Sequence, residues 1–244
     1  TGTLDKRGRT YWMWNTDEPQ HYPTRDPLYQ SVPFLVTAEN AGSEHGDDGG
    51  TGAVLATFVD NLAQSWFDIG ESREDSYAIT VNDRVLDSYL LPADSVAEAT
   101  KLYGELTGRM PMPPLWALGY HQSRYSYYPE STVRELAASF REREIPCDAI
   151  HLDIHHMDGC RVFTWDDRRF ADPASLIEDL AQDGFRTVLI LDPGVKVDAD
   201  YHVFRGGRRG DHFLRYATGE LYVSRVWLGE AVFADFTRGD TRLW

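Results

Sequence analysis

The sequence is poor in lysine and cysteine and contains no long hydrophobic run. Its 244 residues include 24 basic and 39 acidic side chains, two cysteines and a formal net charge of −15. No stretch approaches the roughly 18–20 consecutive apolar residues of a membrane helix, so we expect no membrane partner. An acidic chain without a basic tract is also a poor ligand for nucleic acid.

The two cysteines, Cys147 and Cys160, do not have the spacing of a metal site. We therefore expect reduced thiols, no metal and no cofactor. The first nine residues are polar and lack the hydrophobic segment of a signal peptide. Both observations favour a cytoplasmic location.

The charged residues are also unevenly divided among the residue types. Only Lys6, Lys101 and Lys196 are lysines, and 25 aspartates stand against 14 glutamates. An Asp-rich, Lys-poor surface stays soluble when salt screens its self-repulsion, which favours a salt-adapted host. The alternative is a GC-rich genome that prefers Arg codons, although this explains the aspartate excess less well.

The first hundred residues have the alternating pattern of short β-strands. Such runs occur at 10–14, 31–37, 53–60, 76–81 and 85–91, separated by turn-rich spacers, and 40–52 is predicted to be a hairpin loop. Regular short strands of this kind predict a β-sandwich. A helix is predicted over 96–106, with Gly108 as its stop, and a proline-rich linker follows. We therefore place the domain boundary between residues 108 and 109, giving domains 1–108 and 109–244.

Beyond the linker, strand and helix patterns alternate. Strands are predicted at 115–122, 147–154 and 185–191, helices at 131–143 and 173–182, and a hairpin with a further strand at 220–236. Asp172 is placed to cap the second helix and Pro173 to begin it. This order predicts a parallel sheet covered by helices.

Polar side chains follow the predicted strands, where a β/α barrel builds its active site. They are His121, Gln122, Arg124, Asp153, His155, His156, Asp158, Asp192 and Asp235. Aromatic residues lie among them, including Tyr125, Phe163 and Trp165. Carboxylates beside flat ring faces suit a sugar, whose hydroxyls need acceptors and whose CH faces stack on rings.

Several runs of the sequence carry a family resemblance. They are MPPLWALGYHQSRYSYY (Met112–Tyr128), IPCDAIHLDIHHMDG (Ile145–Gly159), RVFTWD (Arg161–Asp166) and LILDPGVKVD (Leu189–Asp198), with YWMWNTD upstream and VWLGEAVFADFT downstream. In this order they resemble glycoside hydrolase family 31, which contains retaining α-glucosidases and α-xylosidases. The resemblance implies a multidomain α+β fold, with part of an N-terminal β-sandwich followed by an incomplete (β/α)8 TIM barrel.

The resemblance also implies what the sequence lacks. The family nucleophile is an Asp in a W-x-D-M-N-E-like motif on the next barrel strand, and the acid/base Asp follows it. Neither motif occurs in these residues, so we assign no catalytic residue and expect the chain alone to be inactive. The implied activity of the complete enzyme is hydrolysis of terminal α-linked sugars. The alternatives are an α-xylosidase or transglycosylase, and a non-catalytic homologue that at most binds sugars.

Matching positions assign a substrate-binding set for an oligosaccharide or α-glycoside. Its members are Asp17, Arg124, Tyr125, His155, Ile190, Asp192 and Trp227. Tyr125 stands where the family usually has Trp. Asp235 matches a family Asp whose expected role is structural rather than substrate-binding. His155 stands where the family has an Asp that binds sugar hydroxyls. Since a neutral imidazole accepts one proton where a carboxylate accepts two, glucose binding is expected to weaken by about 1–3 kcal/mol or to be retargeted.

Some residues have simpler interpretations. Asp153 is expected to be a structural acceptor at a strand end, and Asp166 and Asp167 to be solvated loop charges. The His155–His156 pair lacks further ligands at zinc spacing, so we do not predict a metal site there. The glycine-rich stretch 206–210 lacks the features of a phosphate loop and is predicted to be a flexible turn.

Overall fold

The computed structural model describes residues 5–18, 20, 22–38, 53–226 and 229–244. The chain forms two compact units, Thr1–Pro111 and Met112–Trp244. We predicted a boundary between residues 108 and 109, and the observed division follows Pro111. The predicted hairpin loop at 40–52 lies outside the described residues.

The described residues of unit 1 form two three-stranded antiparallel sheets. The first has the order β1-β4-β5 and the second β2-β3-β6. The strands are β1 (Arg9–Met13), β2 (Phe34–Ala38), β3 (Val54–Val59), β4 (Ser65–Ile69), β5 (Tyr77–Val81) and β6 (Ser88–Ala93). The pattern predicted five of these strands and missed β4, whose SWFDI sequence has only one strictly buried apolar residue, Phe67.

One helix packs against the second of these sheets. Helix α1 (Val96–Thr107) contributes Ala99 to a core shared with Val54 and Ala56 of β3. Ser95 caps it by accepting the backbone N–H of Glu98 at 3.1 Å, and Gly108 ends it with φ 95°. The predicted helix and its stop are confirmed.

Unit 2 is built on a short parallel sheet in the order β7-β8-β9. Its strands are β7 (His121–Gln122), β8 (Ala149–Leu152) and β9 (Arg186–Leu189), and its helices are α2 (Glu130–Glu142) and α3 (Pro173–Gln182). The core between them holds Ile150 and Leu152 of β8, Val133 of α2 and Leu176 of α3. Alternate residues of β8 therefore face the helices, which leaves His151 for the other face of the sheet.

The start of α3 agrees with its sequence signal. Asp172 accepts the backbone N–H of Ser175 at 3.0 Å, and Pro173 occupies the first helical turn. A proline costs no hydrogen bond there, because the first N–H groups of a helix have no partner within it. The predicted bounds 173–182 are confirmed.

Two predicted strands are wrong in extent or pairing. Within 115–122, residues Leu115–Leu118 form a 3-10 turn and only His121–Gln122 form a strand. The turn closes on Pro114, whose carbonyl accepts the N–H of Ala117 at 2.9 Å. Towards the end of the chain, β11 (Val223–Val226) and β12 (Gly229–Phe233) pair antiparallel, as the hairpin predicted at 220–236 requires. Strand β10 (Gly194–Lys196) pairs antiparallel with β12, so Asp235 does not follow a parallel strand.

The predicted flexible turn at 206–210 is also wrong. These residues continue helix α4 (His202–Arg209), and Gly210 is its C-cap. A Cβ on Gly207 would meet the Phe213 ring, so this glycine permits close packing within the helix. A final short helix, α5, spans Gly239–Leu243. Antiparallel sheets followed by parallel β/α elements confirm the predicted α+β class.

Candidate functional site

The carboxyl ends of the three parallel strands border a cavity of about 280 Å³ in unit 2. Parallel strands present these ends on one edge of a sheet, which is where α/β folds bind ligands. The cavity is lined by Ser123, Arg124, His151, Leu152, Asp153, Val188, Leu189 and Ile190. Two residues of the predicted set, Arg124 and Ile190, thus line the same cavity.

Next to the end of β8, His155 is held among three side chains. Its Nδ1 lies 2.8 Å from Ser126 Oγ, and its ring stacks on Tyr128 with centroids 4.7 Å apart and planes 16° apart. Tyr125 meets the same imidazole edge-on, with ring centroids 5.2 Å apart. The predicted residues Tyr125 and His155 are therefore in contact, and the imidazole orientation is fixed from several sides.

The charged side chain of Arg169 contacts both Tyr128 and the backbone of His155. The guanidinium of Arg169 lies 4.8 Å from the Tyr128 ring centroid, and its Nη1 donates to the His155 carbonyl at 3.3 Å. Asp166 lies 3.6 Å from Arg169 Nε and is 4% exposed. The expectation that Asp166 is a solvated loop charge is therefore wrong, because its carboxylate is buried and its Oδ1 accepts the backbone N–H of Arg168 at 3.0 Å.

The carboxylates of Asp153 and Asp192 differ in their hydrogen bonding. Asp153 Oδ1 accepts the backbone N–H of Ile154 at 2.7 Å, as the cap of a short 3-10 turn over Ile154–His156. Asp192 Oδ2 is buried and has no hydrogen-bond partner among the described residues. Burial and the negative charge of Asp153 raise the pKa of Asp192. An orphaned buried acceptor is an unfavourable feature that a ligand hydroxyl would relieve.

Asp192 also borders a second, larger cavity of about 560 Å³ in the same unit. The lining of this cavity is largely apolar and includes Leu191, Val195, Phe236 and Trp244. Among the described aspartates, Asp192 therefore lines this larger cavity, while Asp153 lines the smaller one.

Arg124, which lines the smaller cavity, also places its guanidinium 5.4 Å from the ring centroid of Tyr127.

The remaining predicted residues are Asp17, Trp227 and Asp235. Asp17 belongs to unit 1, where burial and a hydrogen bond with Asp17 raise the pKa of Tyr29. Trp227 lies outside the described residues. Asp235 accepts the N–H of Thr237 at 3.1 Å in a turn, which is a structural contact.

Sequence reasoning did not identify several residues at this site. Ser126 and Arg169 contact His155, and His151 lines the cavity while bonded to His121 at 3.1 Å. His151 had a usable signal, because it alternates with the apolar residues of β8 on the opposite face of the strand. Ser126 and Arg169 reach the site only through loop geometry.

The described part of the chain lacks a metal-binding cluster and a membrane-spanning helix. No group of three or more His, Cys, Asp or Glu side chains there could hold a metal ion. None of the helices described is both long and apolar enough to cross a membrane.

Comparison with known proteins gives consistent matches over both units. The Glycosyl hydrolases family 31 TIM-barrel domain matches residues 110–244, and the family 31 N-terminal galactose mutarotase-like domain matches residues 1–68. α-Glucosidase 2 of Bacillus thermoamyloliquefaciens is 46% identical over 245 residues, covering 100% of this chain and 30% of the relative. The α-glucosidase of Saccharolobus solfataricus is 33% identical over 99% of this chain and 33% of its own length.

Solved structures agree with these matches. A Flavobacterium johnsoniae GH31 dextranase complexed with isomaltotriose superposes with a TM-score of 0.86 at 30% identity, over 100% of this chain and 28% of the dextranase. The family 31 α-glucosidase from Bacteroides thetaiotaomicron gives a TM-score of 0.82 at 32% identity, over 100% of this chain and 40% of that one.

The chain thus spans about a third of the length of the curated relatives that it matches. The barrel-domain match covers more than half of the sequence, on the same residues that build the parallel sheet and the cavity at its edge. Motif order, fold and structural likeness lead to one conclusion: the chain belongs to glycoside hydrolase family 31.

Proposed function

We propose that this chain forms part of the sugar-binding cup of a retaining α-glycosidase that hydrolyses terminal α-linked glucose. The observation that carries the proposal is the arrangement around His155 beside the 280 Å³ cavity at the carboxyl edge of the parallel sheet. Ring faces, an imidazole and carboxylates are the groups that a pyranose requires for stacking and hydrogen bonding.

The chain is proposed to bind without cleaving. Retaining hydrolysis needs a nucleophile and an acid/base carboxyl about 5–5.5 Å apart, and the family motifs that carry them are absent from the sequence. The nearest similar run is WFDIGE at Trp66–Glu71, on and after β4 of unit 1. There Asp68 Oδ1 accepts the backbone N–H of Glu71 at 2.8 Å, which is the role of a turn residue.

The proposal takes glucose rather than xylose as the sugar. It also includes a changed pattern of hydroxyl recognition at His155, because its Nδ1 is already engaged by Ser126 and only Nε2 remains for a ligand. One imidazole nitrogen replaces the two oxygens that an Asp would offer at this position. Binding of a single glucose unit is therefore expected to be weak.

A titration of the ¹⁵N-labelled chain with glucose and with xylose tests the proposal. We expect glucose to shift the amide signals of Tyr125, His155 and Ile190, and xylose, which lacks the hydroxymethyl group, to shift them less. Stronger shifts with xylose would favour an α-xylosidase. Shifts confined to unit 1, or none with either sugar, would overturn the proposed site.

A further inference from the structure

Two imidazoles from neighbouring strands meet beside the same cavity. His121 begins β7 and His151 lies within β8, and these strands are hydrogen-bonded in parallel. His121 Nδ1 lies 3.1 Å from His151 Nε2, so one of the two nitrogens donates a proton to the other. The sugar-binding set derived from the family motifs includes neither residue.

The surroundings of His121 decide which nitrogen donates. His121 Nε2 lies 3.2 Å from the backbone carbonyl of Trp116, and a carbonyl oxygen only accepts. His121 Nε2 must therefore carry the hydrogen, which leaves a lone pair on Nδ1 of the neutral ring. The Trp116 ring stacks on the same imidazole, with centroids 5.7 Å apart and planes 19° apart, and limits its rotation.

The tautomer of His151 follows from that of His121. Since His121 Nδ1 accepts, His151 Nε2 must donate, and the neutral His151 ring then carries its lone pair on Nδ1. His151 lines the cavity together with Arg124 and Asp153, and Nδ1 is the ring nitrogen that His121 does not engage. Burial and the neighbouring His121 lower the pKa of His151, which keeps the ring neutral at physiological pH.

We propose that His151 is a further ligand-binding residue, which accepts a sugar hydroxyl at Nδ1. His121, together with the Trp116 carbonyl, acts as a positioning residue that fixes the tautomer of His151. The inference rests on the proposed function, because it takes the bound hydroxyl to belong to a sugar. We expect the bound group to be a hydroxyl. The lone pair on His151 Nδ1 needs a hydrogen-bond donor, which a carbonyl group is not, and the neighbouring Arg124 disfavours a cation.

Histidine NMR spectra of the intact chain test the tautomer without any ligand. We expect long-range ¹H–¹⁵N correlations at neutral pH to place the proton of His151 on Nε2. H121F keeps a ring beside Trp116 but removes the acceptor, so His151 should become a mixture of tautomers. H121N offers an amide oxygen close to the position of Nδ1 and should restore the Nε2–H form. A wild-type His151 protonated on Nδ1, or a tautomer unchanged in H121F, would overturn the proposal.

A glucose titration of the same proteins tests the binding role. H151F should weaken glucose binding about tenfold, and H121F about threefold with rescue by H121N, because each loses all or part of one hydrogen bond. Equal affinity of H151F and the wild-type chain would overturn the binding role. If the wild-type chain shows no response to glucose, the proposed function fails, while the tautomer spectra still decide whether His121 positions His151.

Discussion

The imidazole of His155 lies nearly parallel to the phenol ring of Tyr128, with centroids 4.7 Å apart and planes at 16°. Tyr128 in turn supports the guanidinium of Arg169 at 4.8 Å. The Tyr128 ring therefore contacts both His155, which departs from the family pattern, and Arg169, which donates a hydrogen bond to the His155 carbonyl.

Removing this ring should loosen the candidate site. We predict that Tyr128→Ala lowers the free energy of unfolding by about 1–2 kcal/mol, through lost stacking and cation–π contact, and weakens glucose binding. Tyr128→Phe retains the ring and should behave like the wild-type chain in both measurements. Urea unfolding and glucose titration check this, and equal behaviour of the alanine and phenylalanine variants would contradict it.

Asp192 should destabilise the fold at neutral pH. Its pKa is raised by burial and by Asp153, so the folded state releases its proton later than the unfolded state does as pH rises. The penalty is therefore absent below the ordinary value of 3.8 and grows as pH rises through that value to the raised pKa. We predict that Asp192→Asn stabilises the chain by about 1 kcal/mol at pH 7, with the gain shrinking toward pH 3.8.

A matched substitution of another aspartate in unit 2 provides the control. A backbone hydrogen bond from Asp200 and a side-chain bond from Arg161 lower the pKa of Asp198. Asp198→Asn should therefore destabilise the chain at neutral pH, opposite in sign to Asp192→Asn. Equal signs for the two variants in urea unfolding would show that the charge of Asp192 is not penalised.

His156 should make the fold sensitive to mild acid. Burial lowers the pKa of this imidazole, which is 5% exposed and lies against Trp165 with ring centroids 4.9 Å apart. As pH falls below 6.5, His156 becomes protonated in the unfolded chain but stays neutral in the folded chain. The free energy of unfolding therefore falls until the pH reaches the lowered pKa of the folded state.

The variant His156→Asn isolates this titration. An Asn amide can still donate to the Asp153 carbonyl, which His156 Nδ1 contacts at 3.0 Å. We expect the variant to lose about 1 kcal/mol at pH 7 through lost ring packing, but to show a shallower fall in stability between pH 7 and 5. An unchanged slope in urea unfolding would assign the acid sensitivity to other groups.

The open side of β9 should promote self-association. In the described chain β9 pairs only with β8, and the apolar residues that end and follow it, Leu189, Ile190 and Leu191, are 38%, 38% and 57% exposed. Exposed apolar strand edges invite pairing with other chains. We predict that Leu191→Lys reduces association in light scattering, whereas Leu62→Lys, at a 99% exposed leucine of unit 1, has little effect. Equal effects would indicate association through general hydrophobicity.

Local signals in the sequence predicted some elements well. Asp172 with Pro173, and Ser95 with Gly108, mark helix ends through backbone chemistry that needs no distant partner. Strand β4 was missed because its partners β1 and β5, rather than its own alternation, determine its pairing.

The candidate site was predictable only in outline. Family motifs and strand ends identified Tyr125 and His155, which the fold brings into contact. The bonds of His155 to Ser126 and of His151 to His121 join residues 29 and 30 positions apart, and they depend on loop geometry and strand register. The burial of Asp166 likewise depends on Arg169 and the turn that they share, which a charged pair in a sequence does not reveal.

The most direct test combines glucose titration with a cleavage assay on the wild-type 244-residue chain, using an aryl α-glucoside as substrate. We predict saturable shifts of the unit 2 signals around the 280 Å³ cavity, with affinity in the millimolar range, and no release of the aryl group. Release of the aryl group by this chain, or glucose shifts that avoid His155, His151 and Ile190, would show that the proposed site and its lack of cleavage are wrong.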